Sequence, residues 1–245
     1  MRFSMGHLIA DAQRMWRAER PLLLPIAGLF YFLPTLALLL LLPQPAEITD
    51  PGTDAASQAL IAYTLDNAGS ILSANLANLF GAAVVLLLFL GRPQLTASDA
   101  LRRALTLLPI FLIAVISVWA GVFVGGLMFV LPGLYLVGRS FLVTAVIASE
   151  GAQSPVQAIS RSFALTKGRG WLFFSLVAAV FLTGQVGVMI AGSIDRAMIA
   201  SGMASPVTVF LFNASAALAS TAASLATLLL EVAAYRRLAG SSNGI

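Results

Sequence analysis

Few side chains in this 245-residue sequence could do chemistry, and Arg139 stands out among them. It lies inside the apolar run 134–148. A charge in a bilayer normally faces the bundle interior or a water-filled cavity and has partners there. At about 1.5 Å per helical residue, Arg139 falls roughly 9 Å below the outer end of its apolar segment. Gln185, Asn213, Asn75 and Asn78 fall at similar counts in their own segments, so the expected layer lies roughly 7–12 Å from the outer surface. Two chemistries fit such a layer. One is a pocket for an anionic group such as a lipid phosphate, because guanidinium donates in a planar fork. The other is interhelical glue, in which amides satisfy one arginine and fix helix register. Asn213, Ser220, Ser224, Thr227 and Glu231 form a helical stripe on the last segment. It reads as close packing, with a pore lining as the sharper alternative. Glu150 and Glu231 fall near the inner boundary beside Arg161 and Arg237, where interfacial ion pairs are expected.

Other chemistries are excluded by composition. The chain has no Cys, and its one His, His7, lies near the N-terminus. Thiol nucleophiles, disulfides and a His-based site inside the membrane are therefore ruled out within one chain. No metal or other cofactor is expected. Of 14 basic residues only Lys167 is Lys, and Ala is abundant, a composition that suggests a GC-rich bacterial genome.

The elements that must hold these residues are membrane spans. The chain is 59% apolar and 10% charged, with a mean hydropathy of +0.94. That is a membrane composition, and nothing in it marks a second domain. A span needs about 20 apolar residues, and six segments qualify: 21–42, 70–91, 108–131, 133–149, 171–192 and 207–231. The expected fold is all-α, a polytopic bundle of about six transmembrane helices occupying 1–245. About twenty residues carrying Asp11 and Glu19 precede the first run, which is too long for a signal h-region of roughly 7–15 residues. It reads as a retained span.

With six spans, all the clusters Arg2/Arg14/Arg17/Arg20, Arg92/Arg102/Arg103, Arg161/Lys167/Arg169 and Arg236/Arg237 fall on one side. Basic residues mark the cytoplasmic side, so both termini are expected there and the location is a bacterial inner membrane. Net charge is +4, with the basic residues at segment ends rather than in a nucleic-acid patch. Arg102, Arg103, Arg161, Lys167 and Arg169 are candidate contacts for anionic headgroups; positive-inside anchoring alone also explains them. Asp11 and Glu19 read as a charged outer face.

The connections are patterned as well. Ser4 to Glu19 predicts an interfacial amphipathic helix with Leu8, Ile9, Ala12, Met15 and Trp16 on its apolar face. Thr96 to Leu108 predicts a second, capped by Thr96 or Ser98 with Ala100 and Ala104 toward the membrane. Ser154 to Thr166 predicts a third, with Pro155 after a Ser cap. At an offset of 58, Thr96, Ala100, Leu101 and Arg103 overlie Ser154, Ala158, Ile159 and Arg161, a weak internal repeat. Short outer-surface helices are expected over 55–65 and 194–203, with a loop over 44–54. Gly121 and Gly125 form a G-x-x-x-G that allows close helix approach, within or between chains. Pro34 is expected to kink the first span.

The run Pro132-Gly133-Leu134-Tyr135, Arg139, Glu150-Gly151, Ala158 through Phe163, Leu165 through Gly168 and Trp171 resembles the bacterial glycerophosphoryl diester phosphodiesterase membrane-domain family. YciC-like uncharacterised inner-membrane proteins share the pattern. The resemblance is best over 130–171 and implies a multi-span helical protein. In some members of that family the membrane region is fused to a soluble phosphodiesterase barrel. Such a barrel takes about 250 residues, and no polar stretch here could hold one. The expectation is a non-enzymatic inner-membrane protein that binds lipid or a partner in envelope homeostasis. A small transporter or channel built around Arg139 is the alternative. The expected partners are the bilayer, with anionic phospholipid, another membrane protein or a second copy left open, and no nucleic acid.

Overall fold

The computed structural model describes residues 5–43, 53–91, 95–151, 154–202 and 205–242, and among them every regular element is a helix. The order is α1 (Met5–Ala27), a π-helical turn (Gly28–Phe32), α2 (Leu33–Leu41), α3 (Asp54–Asp66), α4 (Ala68–Leu90), α5 (Ala97–Met128), α6 (Val130–Arg139), α7 (Val143–Glu150), α8 (Pro155–Leu165), α9 (Gly170–Ala200) and α10 (Pro206–Ser242). Six helical stretches are long and apolar enough to cross a membrane, so the chain is an all-α multi-pass membrane protein.

The spans run further than their apolar segments. The expected N-terminal surface helix is the first part of one continuous stretch, Met5–Leu41. Its Leu8 and Ala12 are buried in the bundle core instead of lying on a membrane surface. The irregularity expected at Pro34 appears just before it. Proline has no N–H and crowds the carbonyl four residues back, and the ladder widens there, with Leu33 N–H donating to Gly28 O. The expected helix over Thr96 to Leu108 is likewise fused to its span in α5. Thr96 Oγ1 caps it, accepting from Asp99 N at 3.2 Å. Ala100 and Ala104 face protein and are fully buried, while Leu105 is exposed. The helix expected over 194–203 is the end of α9, and α3 forms as expected but buries nothing. The loop over 44–54, together with Arg2 and Arg92, falls almost wholly outside the described residues.

The fourth span is the one that departs from a plain helix. It breaks at 140–142 into α6 and α7, and the break has specific partners described below. α8 starts as the sequence predicts, with Ser154 Oγ accepting from Gln157 N at 3.2 Å and Pro155 at the first position. The two arms of the offset-58 repeat meet: α8 packs on α5, and Ala158, like its counterpart Ala100, is fully buried.

Packing is concentrated at one end. The N-terminal part of α1, the last two turns of α4, the first half of α5, α7, and the C-terminal part of α10 contribute most of the core, including Leu8, Val84–Leu87, Phe111, Leu142–Ala148 and Val232–Tyr235. The basic residues Arg14, Arg161, Arg236 and Arg237 lie at this end, which we call the basic end. Away from this core α5 packs on α6, α6 on α9, α9 on α10, and α2 on α10 and α4, and large apolar side chains such as Phe123, Phe181, Met189 and Phe210 are exposed.

Candidate functional site

Two groups of polar residues are assembled at the basic end. The first is the joint between α6 and α7. A helix break strands backbone groups that need partners. Arg139 O accepts from Ser162 Oγ at 2.8 Å and from Thr166 Oγ1 at 3.0 Å. Ser162 Oγ in turn accepts from Leu142 N at 3.3 Å. Glu231 of α10 closes the other side, its Oε1 accepting from Ala145 N at 2.7 Å and from Thr144 Oγ1. A carboxylate at a helix N-terminus meets both the stranded N–H groups and the positive end of the helix dipole. Glu231 is only 5% exposed, so it is a cap for α7 from another helix rather than the interfacial partner of Arg237 expected from its position. The other expected pair does form: Arg161 Nε lies 3.0 Å from Glu150 Oε1, and Tyr235 donates to the same oxygen at 2.9 Å.

Arg139 belongs to this joint. Its guanidinium lies 5.2 Å from the centre of the Phe163 ring and 5.9 Å from that of Tyr135. Tyr135 in turn packs on Gly170 and on Trp171, ring centres 5.8 Å apart. Next to it Gly138 meets the Gly170 carbonyl so closely that any side chain would collide with it. The turns into and out of α8 use Gly151 and Gly168 at φ of 62° and 75°, a region that favours glycine. Tyr135, Arg139, Ser162, Phe163, Thr166 and Trp171 therefore meet at one joint.

The expected polar layer is not assembled. Arg139 sits level with the start of α9, whereas Gln185 lies fifteen residues on, about 22 Å along the helix. Gln185 and Asn75 are exposed, and Asn75 donates to Ile71 O of its own helix. Asn213 is buried but also bonds within its helix, to Val209 O at 2.9 Å. Asn78 Oδ1 is buried without a hydrogen-bond partner among the described residues. Counting residues places Arg139 elsewhere because it takes the fourth span as straight with its outer end at residue 133, whereas the span breaks at 140–142.

The second group forms two clefts on either side of Arg236. One, of about 670 Å³, lies between α1, α4 and α10, and the other, of about 530 Å³, lies between α4, α7, α8 and α10. In the first, Asp11 pairs with both Arg14 and Arg237, so Asp11 faces the bundle rather than forming an outer charged face. Asp11 and Glu19 stand against Arg14, Arg236 and Arg237, an excess of one positive charge. In the second, Glu150 and Arg161 neutralise each other, and Arg236 is again the charge left over. Arg236 donates to Phe89 O at 2.7 Å, a carbonyl in the last turn of α4, and stacks 5.7 Å from the Phe89 ring. With five N–H donors it has others to offer. No carboxylate among the described residues pairs with it. Of the expected headgroup contacts, Arg161 is thus neutralised, while Arg102, Arg103, Lys167 and Arg169 are exposed. In the sequence Arg236 serves, with Arg237, only to mark the cytoplasmic side, and nothing there singles out Arg236.

No cluster of metal-ligating side chains occurs among the described residues. No family model, curated protein or solved structure matches this chain.

Proposed function

We propose that this is a non-enzymatic multi-pass protein of a bacterial inner membrane, basic end toward the cytoplasm, that binds the headgroup of anionic phospholipid at Arg236. The observation that carries this reading is the exposed Arg236 guanidinium, ion-paired with no carboxylate among the described residues and shared by two clefts at the basic end. Each surface basic residue contributes about 1 kcal/mol to attraction for an anionic membrane, and a planar fork adds geometry that suits a phosphate. Arg102, Arg103, Lys167 and Arg169 extend the positive surface along the same end and would hold the protein against anionic lipid without selecting it. A transporter or channel reading has less support, because Arg139 stands at the start of α9, about 22 Å along that helix from Gln185.

The test is native mass spectrometry of the gently extracted protein with lipid identification, comparing wild type, Arg236→Gln and Arg236→Lys. Retention of an anionic lipid by wild type and Arg236→Lys, with at least about fivefold loss in Arg236→Gln, is the expected result. Equal retention by all three folded proteins would sink the assignment.

A further inference from the structure

We infer that the α5–α6 hairpin enters the bilayer from the basic end and turns back near half depth, without reaching the opposite surface. Length and composition permit both helices to cross. Their placement does not.

The level of the hairpin is fixed by α9. Lys167 and Arg169 are exposed immediately before α9 begins at Gly170. Exposed charges are costly in hydrocarbon, so this turn marks the aqueous boundary, and Trp171 fits an aromatic at headgroup level. Gly138 is pressed against Gly170, and Tyr135 packs on Gly170 and Trp171. The lower end of α6 therefore stands at that same boundary. From Gly138 to Val130 there are eight residues, a rise of about 12 Å even if α6 stood upright. The hydrocarbon core is about 30 Å thick. α5 starts at the same boundary, with Arg102 and Arg103 exposed, so its 32 residues must run strongly inclined to the membrane normal to meet α6 there: Gly133 of α6 lies against Gly126 and the Val122 carbonyl of α5.

The composition of the tip agrees independently. Surface turns are ordinarily polar, and the far-end connections of this chain carry Asp54, Asp66 and Asp195. The α5–α6 turn carries none: Leu127 to Leu131 are all apolar and each is 64–72% exposed. Stranded backbone donors are expensive in lipid. Here one donor of the turn, Phe129 N–H, is satisfied by Gly125 O, and Pro132, in the first turn of α6, removes another.

The native chain has no Cys, so single-cysteine variants report position directly. Phe129→Cys and Leu131→Cys are placed at the tip, Ala55→Cys on α3 and Ala164→Cys on α8. Each is reconstituted in vesicles and treated with a membrane-impermeant maleimide from either side. Then the two tip variants are spin-labelled, and depth is read from the ratio of oxygen to nickel-chelate relaxation. The expected result is labelling of Ala55→Cys and Ala164→Cys from opposite sides, no maleimide labelling of either tip variant from either side, and a tip depth closer to the bilayer centre than to a surface. Maleimide labelling of the tip from the Ala55 side, or a depth at that surface, would overturn the inference; so would labelling from the Ala164 side, which would leave the hairpin outside the bilayer.

Discussion

Glu231 Oε1 accepts from Ala145 N at 2.7 Å, and this contact joins two helices that are 86 residues apart in the chain. It caps a helix whose first turn is buried in the bundle, with Val143 and Ala145 both in the core. Removing the cap leaves buried donors unpaired, a loss of about 1–3 kcal/mol. Glu231→Leu is therefore expected to lower the thermal midpoint in detergent clearly, whereas Glu231→Gln, which keeps an acceptor oxygen, is expected to fall between it and wild type. Equal midpoints for Glu231→Leu and wild type would show that α7 does not depend on this cap.

The α6–α7 break should depend more on the hydroxyls than on the arginine that first draws the eye. Ser162 serves both Arg139 O and Leu142 N, and truncating it strands groups on both sides of the break. Ser162→Ala is expected to cost about 1–3 kcal/mol. Arg139→Leu gives up ring stacking worth about 0.5–2 kcal/mol and should leave a folded protein. Chemical or thermal unfolding of the two variants in the same detergent gives the comparison, and a larger loss in Arg139→Leu would reverse this ranking.

Glycines in this chain should differ sharply in tolerance. Gly138 has no room for a Cβ beside the Gly170 carbonyl, whereas Gly121 has nothing within 4 Å. Gly138→Ala is expected to abolish a monodisperse elution peak or reduce it severely, and Gly121→Ala to leave it unchanged. Size-exclusion profiles of the two purified variants decide it.

Binding at Arg236 should be sensitive to ionic strength, because the residue is exposed and screening at 0.15 M salt already acts within about 8 Å. Retention of anionic phospholipid is expected to fall as salt rises from low to several hundred millimolar, and less so in Arg236→Gln. Salt-independent retention in wild type would point to the acyl chains rather than the headgroup.

Apolar runs of sufficient length are enough to read the class of fold; Ser154 with Pro155 behind it locates one helix start to the residue, and the other is narrowed to Thr96 or Ser98, of which Thr96 is the cap. Glu150 and Arg161 could be paired on sequence because their elements are neighbours in the chain. Glu231 and Asp11 could not. Their partners, Ala145 and Arg237, are 86 and 226 residues away, and spacing within one helix carries no trace of such contacts. Arg139 was legible as unusual but not as to depth. Its level is set by the close approach of Gly138 to Gly170, which hydropathy cannot register because glycine contributes almost nothing to it.

Most of the packed mass of this bundle lies at one end, and a hairpin that stops halfway adds to that end alone. Such a molecule is a wedge. It displaces more lipid from the basic-side leaflet than from the opposite one, and the mismatch in area favours bending with the basic-side leaflet on the convex face. Sorting of the labelled protein between small and large vesicles would measure this preference, and an even distribution would rule it out. Shape, as well as charge, would then decide where in a membrane this protein resides.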